Sequence, residues 1–204
     1  MTKRRTQQER KAESERAIIR TAQELFAKQG YVRTTLAEVG KLAGYTGGLV
    51  SHRFGSKQAL LQEVVRRSSG RFDEDQLRPA VADKSATEAM DSFIETYLKE
   101  VALREGRVRA LYVIMGEALG AVDEIKPEIA KLNAGFRDNL ARMIRRGIDS
   151  GDYRQDLDPE EASMLVLGLI RGVTMQYLVD PKRVRLKVVL PLVQETVRGA
   201  LAPR

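Results

Sequence analysis

The sequence predicts an all-α protein of about nine helices, built as a small three-helix head followed by a larger helical domain. Three observations carry this expectation. Apolar residues recur at three- and four-residue spacings almost from end to end, and no segment alternates with the period of a strand. Prolines at 79, 127, 159 and 181 punctuate the helical runs where a helix would stop or start. Charge divides the chain: residues 1–70 carry 14 Lys/Arg against 6 Asp/Glu, a net of +8, whereas residues 71–204 carry 21 against 22, a net of −1. The whole formal +7 of the 204 residues therefore comes from the N-terminal third.

The elements follow in order. Residues 1–12 are polar and basic and read as a flexible arm. A helix over Ser14–Gln29 has Ile18, Ala22, Leu25 and Phe26 as its apolar stripe. Thr34 and Thr35 are hydroxyl residues set just before an apolar run, as an N-cap should be. Leu36, Val39, Gly40 and Leu42 share one face of the next short helix, and Gly44 supplies the corner that ends it. A further short helix spans about Thr46–Phe54, with Leu49 and Val50 inward. Gly40 lacks a side chain where these two helices would cross, so their backbones can approach closely. Ser56 caps a helix carrying Leu60, Leu61, Val64 and Val65, which runs past Gly70 toward Leu77 until Pro79 ends it. The expected boundaries are an arm at 1–12, a head at 13–72 with its two-helix motif at 35–54, and a second domain at 80–204.

In the second domain, Thr87–Arg104 places Met90, Phe93, Ile94, Tyr97 and Val101 at helical spacing, and Arg107–Leu119 does the same with Leu111, Tyr112 and Met115. A long helix follows Pro127 to about Ile148 and stops at Ser150-Gly151. Asp158-Pro159 is a cap with a first-turn proline. The helix it opens, Glu160–Leu178, is apolar on most of its circumference and must be covered on most of it. A second copy of the chain, or a central place in a monomeric core, would do that. The last helix runs from about Arg183 to Leu201.

Composition narrows the function classes. The absence of cysteine excludes disulfides and thiolate metal sites and is compatible with a reducing cytoplasm. The basic N-terminus is followed by no apolar stretch of a secretory signal. No window approaches 18 uninterrupted apolar residues, so no membrane span or membrane partner is expected. One histidine, no nucleophile–base constellation and no metal set leave no catalytic residue to name and imply neither metal nor cofactor.

Two short helices joined at a glycine corner are the layout of a DNA-binding helix-turn-helix, whose second helix enters the major groove. Any helical hairpin in a bundle shares the periodicity; the charge concentrated around this one favours phosphate backbones. Specific residues then carry a resemblance. AIIRTAQELFAKQGYVRTTLAEVGKLAG from Ala17, continued through GGLVSHRFGSKQALLQEVV, resembles the DNA-binding domain of the TetR family of bacterial transcriptional regulators over about 60 residues. The match includes Phe26, the turn at Lys28–Tyr31, the paired threonines, Gly44 and the F-x-S-K pattern of Phe54–Lys57.

The resemblance implies a ligand-responsive repressor that binds double-stranded DNA at a palindromic operator. It also implies a homodimer made through the final helix pair, and a small-molecule effector held in the second domain. Base-edge contacts fall on Thr46, Gly47, Gly48, Leu49 and His52, with Tyr45 beside them. Gly47-Gly48 offers close approach to DNA, or is simply a frayed helix start. Ser51 stands where the family commonly has a tyrosine that donates to a phosphate, which puts that contact in doubt; Arg53 is placed to replace it. Arg33, Thr34, Thr35 and Lys57 are the phosphate candidates. Lys3, Arg4 and Arg5 reach along the backbone or into a minor groove, or form a solvated tail. For the effector, Met90, Phe93, Tyr97, Tyr112, Met115, Phe136, Met143 and Met164 are the bulky apolar candidates, each also an ordinary core residue, and they suggest a hydrophobic ligand. A helical enzyme with an incidental basic head and a sequence-blind nucleoid-type binder are the competing classes.

Overall fold

The computed structural model describes residues 6–120 and 122–203, and these are helical nearly throughout. Ten α-helices are present among them: α1 (Gln7–Arg33), α2 (Leu36–Leu42), α3 (Gly47–Phe54), α4 (Lys57–Phe72), α5 (Arg78–Val81), α6 (Ala86–Leu103), α7 (Glu105–Leu119), α8 (Lys126–Ser150), α9 (Pro159–Val179) and α10 (Leu186–Leu201). A π-helical turn at Asp73–Leu77 joins α4 to α5, and a 3-10 turn at Asp123–Ile125 precedes α8. The chain forms two compact units. Unit 1 comprises Met1–Ser68 together with Gly106–Ile129, and unit 2 comprises Ser69–Glu105 together with Ala130–Arg204. The division therefore does not follow the chain: most of α7 belongs with the N-terminal head rather than with the domain expected to begin near residue 80.

Unit 1 is organised around Ile18, Phe26, Val39, Val50, Leu60 and Leu61, all fully buried. Its first helix starts seven residues before the expected Ser14. Thr6 is its N-cap, accepting from Glu9 N while the Glu9 carboxylate accepts from Thr6 N, and Gln7–Arg10 are good helix formers. Residues 6–12 are thus capped helix rather than arm; Lys3, Arg4 and Arg5 lie outside the described residues. Helix α1 breaks at Gly30, whose φ of +83° suits glycine, which agrees with the expected turn at Lys28–Tyr31.

Unit 2 is built on α6, which packs against α5, α9 and α10 and buries Met90, Phe93, Ile94 and Tyr97. The Ser85–Glu88 capping box sets its start. Pro79 does not end the preceding helical path. It occupies the first turn of α5, where its missing N–H costs nothing, and the path stops instead at Ala82 and at Asp83, with φ of +54°. Tyr153 closes the end of α8: its ring lies where a Cβ of Gly147 would stand, its N–H donates to Gly147 O at 2.9 Å and its hydroxyl to Ala86 O at 3.0 Å.

Helix α9 is long and apolar enough, by length and composition alone, to cross a bilayer, although Arg171 interrupts its apolar run as the sequence reading requires. Its two faces explain the composition differently. One face, Ala162, Val166, Leu167, Ile170, Thr174 and Leu178, is buried within unit 2. The other exposes Leu165, Met175 and Val179, and on the adjacent α10 Val188 and Leu192 are exposed as well, each by 60% or more. Gly168 and Gly172 lie open along the exposed face of α9 and leave room for a close neighbour.

Candidate nucleic-acid interface

The head is set by contacts between α2 and α3. Thr35 caps α2, its hydroxyl accepting from Glu38 N at 3.1 Å, and Thr46 caps α3 in the same way through Leu49 N at 3.1 Å. Between them Gly44 turns the chain at φ +81°. A Cβ on Gly40 would meet Gly47 N and Thr46 O at 2.8 Å, so the predicted close crossing is real and leaves no space for alanine. The same is true of Gly47, whose Cβ would stand 2.8 Å from Ala37 Cα. Helix packing by itself therefore calls for glycine at Gly47. A Cβ on Gly48 would meet only Thr46 Oγ1, at 3.9 Å, an ordinary contact. The two glycines therefore have separate physical causes.

Around this crossing the expected DNA face divides. Val50 is fully buried and Leu49 half-buried, while Thr46, Gly48, Ser51 and His52 are exposed on α3. Arg33 and Thr35 are exposed at the start of the motif, and Tyr45 is half-buried at the corner. Thr34 departs from expectation: it is buried, and its hydroxyl donates to Gly30 O at 2.7 Å, where it satisfies a carbonyl freed by the break in α1.

Arg53 also departs from it. The guanidinium turns toward α1, 3.6 Å from Glu15 Oε1, and its side chain is only 16% exposed. Glu15 in turn meets Arg67, and Glu63 binds both Arg67 and Arg66, so three of the head's arginines belong to an internal ion-pair chain. The hydrogen bonds from Arg66 and Arg67 hold the Glu63 carboxyl below the usual carboxylate range, against the opposing effect of burial. Lys41 is an exposed cation at the end of α2 that the sequence reasoning passed over; its place next to the Gly44 corner was the available signal.

Lys57 is engaged as well. Its ammonium donates to Tyr31 O at 3.1 Å and to Val32 O at 3.2 Å and lies 4.3 Å from the centre of the Tyr31 ring. At the same two residues, the Glu117 carboxylate of α7 accepts from Tyr31 N at 2.6 Å and from Val32 N at 3.2 Å. The Gly30 break leaves the two N–H groups without helical acceptors and the helix end leaves the carbonyls short of donors, Tyr31 O accepting also from Thr34 N at 3.2 Å; a carboxylate and an ammonium supply the remaining partners. The Tyr31 hydroxyl donates to Glu124 at 3.0 Å; burial first, then this hydrogen bond, raises its pKa well above the ordinary tyrosine value. Glu117 was not legible in the sequence, because 86 residues separate it from Tyr31.

Two family descriptions match the chain: "Bacterial regulatory proteins, tetR family" over residues 18–64, and "BetI-type transcriptional repressor, C-terminal" over residues 86–202. The chain belongs to the TetR family. It is a DNA-binding transcriptional regulator that responds to a small molecule, and regulators of this family bind DNA as dimers. The regulator is 27% identical over 193 residues to the HTH-type transcriptional regulator TtgR of Pseudomonas putida, covering 90% of this chain and 88% of that one. The fold is shared with the fatty acid degradation regulator FadR of Bacillus halodurans (TM-score 0.83, 20% identity, 99% and 100% of the two chains covered). It is shared too with FadR of Bacillus subtilis solved in complex with stearoyl-CoA (TM-score 0.82, 20% identity, 91% and 98% covered).

Within the regulator the eight expected effector residues are dispersed. Phe93, Tyr97 and Phe136 form an aromatic cluster with Phe72, ring centres 5.9–6.4 Å apart, and the Arg171 guanidinium lies 5.5 Å from Phe136. Met90 is buried beside them on α6, and Met143 borders a cleft on α8. Tyr112 and Met115 fall in unit 1 on α7. Met164 is 51% exposed on the outward face of α9, a place suited to a partner subunit more than to a ligand.

Proposed function

We propose that the regulator reads a palindromic operator through α3 of two heads related by a two-fold axis, and that an effector with an apolar body, held in unit 2, lowers its affinity for that operator in the cytoplasm. The observation that carries the DNA reading is the sidedness of α3: Val50 is fully buried while Gly48, Ser51 and His52 are exposed from a rigid, doubly capped hairpin. On this reading Thr46, Gly48, Ser51 and His52 face base edges or phosphates, with Leu49 and Tyr45 at the margin. Arg33, Thr35 and Lys41 hold the phosphates. Arg53, Lys57, Thr34 and Gly47 keep the head in shape.

The exposed apolar faces of α9 and α10 support the dimer, since two-fold pairing of those faces would cover them and would match a two-fold operator. Release follows from linkage: an effector must bind the operator-incompetent arrangement more tightly, and operator must then weaken the effector by the same factor. The stearoyl-CoA complex of the B. subtilis relative agrees with an apolar ligand body. These roles describe a regulator and require no catalysis.

The test is titration of an operator taken from the DNA upstream of the regulator's gene, beside random duplex, at two salt concentrations. Affinity should fall by orders of magnitude between about 50 and 200 mM salt. His52→Ala should change the preferred base, at a cost of roughly 1–3 kcal/mol on the operator and little on random DNA. Equal losses on both duplexes would remove His52 as a base reader, and salt-independent binding would remove the phosphate contacts.

A further inference from the structure

Unit 2 contains a cleft of about 340 Å³ between the π-turn with α5 on one side and α8 on the other. Three arginines line it, Arg78, Arg142 and Arg146, against a single described carboxylate, Asp73. We propose that this cleft binds an organic anion, a carboxylate or phosphate carried on a short apolar body. The inference rests on the effector reading above only in assigning this anion to the effector; the site itself stands on the cleft.

The guanidinium groups are placed, not merely solvated. The π-turn gives one of them. Residues five apart in an α-helix point about 140° away from each other. The wider turn bonds Arg78 N to Asp73 O and sets Arg78 Nε 3.0 Å from Asp73 Oδ2. The other Asp73 oxygen accepts from Asn139 Nδ2 at 3.1 Å, which turns the Asn139 carbonyl oxygen toward Arg142. Arg146 is fixed by donating to Lys84 O at 2.9 Å and Ser85 O at 3.2 Å. These last acceptors are neutral. Among the described residues neither Arg142 nor Arg146 has a carboxylate partner, so the lining keeps a formal excess of two positive charges within a region whose sequence is net −1. Leu77, Val81 and Met143 supply the apolar wall. Fixed guanidinium donors at one side of an apolar wall are the chemistry that recognises a carboxylate or phosphate with a hydrocarbon attached. Turns of the π type are rare and, where they occur, are often at functional sites; here the turn itself forms the wall.

The full-length regulator is titrated calorimetrically with octanoate, octyl phosphate, octanol and octyltrimethylammonium, and the bound sites are located by backbone amide NMR. Octanoate or octyl phosphate should bind once per chain and at least about tenfold tighter than octanol, with shifts confined to residues 73–81 and 139–146; which of the two binds tighter separates a carboxylate site from a phosphate one. Arg142→Gln, at an exposed position, should weaken the anion roughly five- to tenfold, and Arg142→Lys should recover most of that. Asp73→Asn should act in the opposite direction and tighten the anion, an outcome that a loss of folding cannot imitate. Octanol binding as well as octanoate, shifts elsewhere, or anion affinity unchanged in both Arg142→Gln and Asp73→Asn would overturn the site. Operator affinity is measured separately with octanoate present. If the anion binds as described and the operator is unaffected, the site stands and the effector reading is what fails.

Discussion

Removing the Glu117 carboxylate should loosen the head although it lies far from α3 in sequence. In Glu117→Ala the N–H groups of Tyr31 and Val32 lose their acceptor at a helix break where no backbone carbonyl replaces it. Tyr31 is 2% exposed and Val32 is 55% exposed. Water can therefore reach the second N–H and cannot readily reach the first. An orphaned buried donor costs about 1–3 kcal/mol, and a solvated one well under that, so the expected loss is about 1–3 kcal/mol. Glu117→Gln keeps one acceptor oxygen but aims an amide N–H₂ at the other donor, and should lose about 1–2 kcal/mol. Urea unfolding of the full chain measures both.

A double-mutant cycle with Gly30→Ala makes the reasoning stricter. A Cβ on Gly30 would fall on the Glu117 carboxylate, and the residue would also have to hold φ at +83°. The steric part vanishes when Glu117 is alanine and the backbone part remains, so Gly30→Ala should cost less in the Glu117→Ala background, with a coupling of at least about 0.5 kcal/mol. The variants should also weaken operator binding, because the same two peptides lead into Thr34 and the start of α2. A Glu117→Ala protein within about 0.5 kcal/mol of wild type, with additive cycle energies, would refute the clamp.

Three further outcomes are expected. Gly47→Ala should destabilise the head because its Cβ strikes the Ala37 backbone, whereas Gly48→Ala should raise the melting temperature, by up to about 1 kcal/mol of helix propensity, yet weaken operator binding; thermal melts paired with operator titrations decide between them. Leu165→Glu combined with Leu192→Glu, on the exposed faces of α9 and α10, should bring the light-scattering mass from twice the 22.9 kDa chain to the single chain without loss of helix signal; a dimer of unchanged strength would place the interface elsewhere. Burial raises the Tyr153 hydroxyl to about 12 from an ordinary 10, so its proton stabilises the fold fully below pH 10 and that contribution is lost as pH rises from 10 to 12; Tyr153→Phe should flatten this part of the stability–pH profile, and an unchanged slope would contradict the assignment.

What the sequence by itself determined is what depends on near neighbours. Thr35 and Asp158 cap the helices expected of them, and Thr46 and Ser85 cap helices whose first residues, Gly47 and Ala86, lie within one residue of the expected starts Thr46 and Thr87, because a cap needs only an oxygen and an N–H two or three residues on. The Gly40 crossing and the Gly44 corner were legible because a missing side chain and a positive φ leave a mark at one position. The apolar circumference of α9 was legible too, although within the chain only one of its faces is buried and Leu165, Met175 and Val179 stay exposed.

What the tertiary structure decided is where long, charged or hydroxyl side chains find partners. Arg53 read as the substitute for the phosphate contact that Ser51 puts in doubt, but Glu15, 38 residues earlier, draws it inward. Leu42 had the spacing of an inward residue and is 62% exposed, since a seven-residue helix covers only part of its own stripe. Pro79 marked a helix end by composition, and the π-turn carried the path past it. Glu117 on Tyr31 and Asp73 beside Asn139 join residues 86 and 66 positions apart. A side chain with several rotatable bonds can reach many acceptors, so only the packed fold selects among them; backbone periodicity and capping have no such freedom and are written residue by residue.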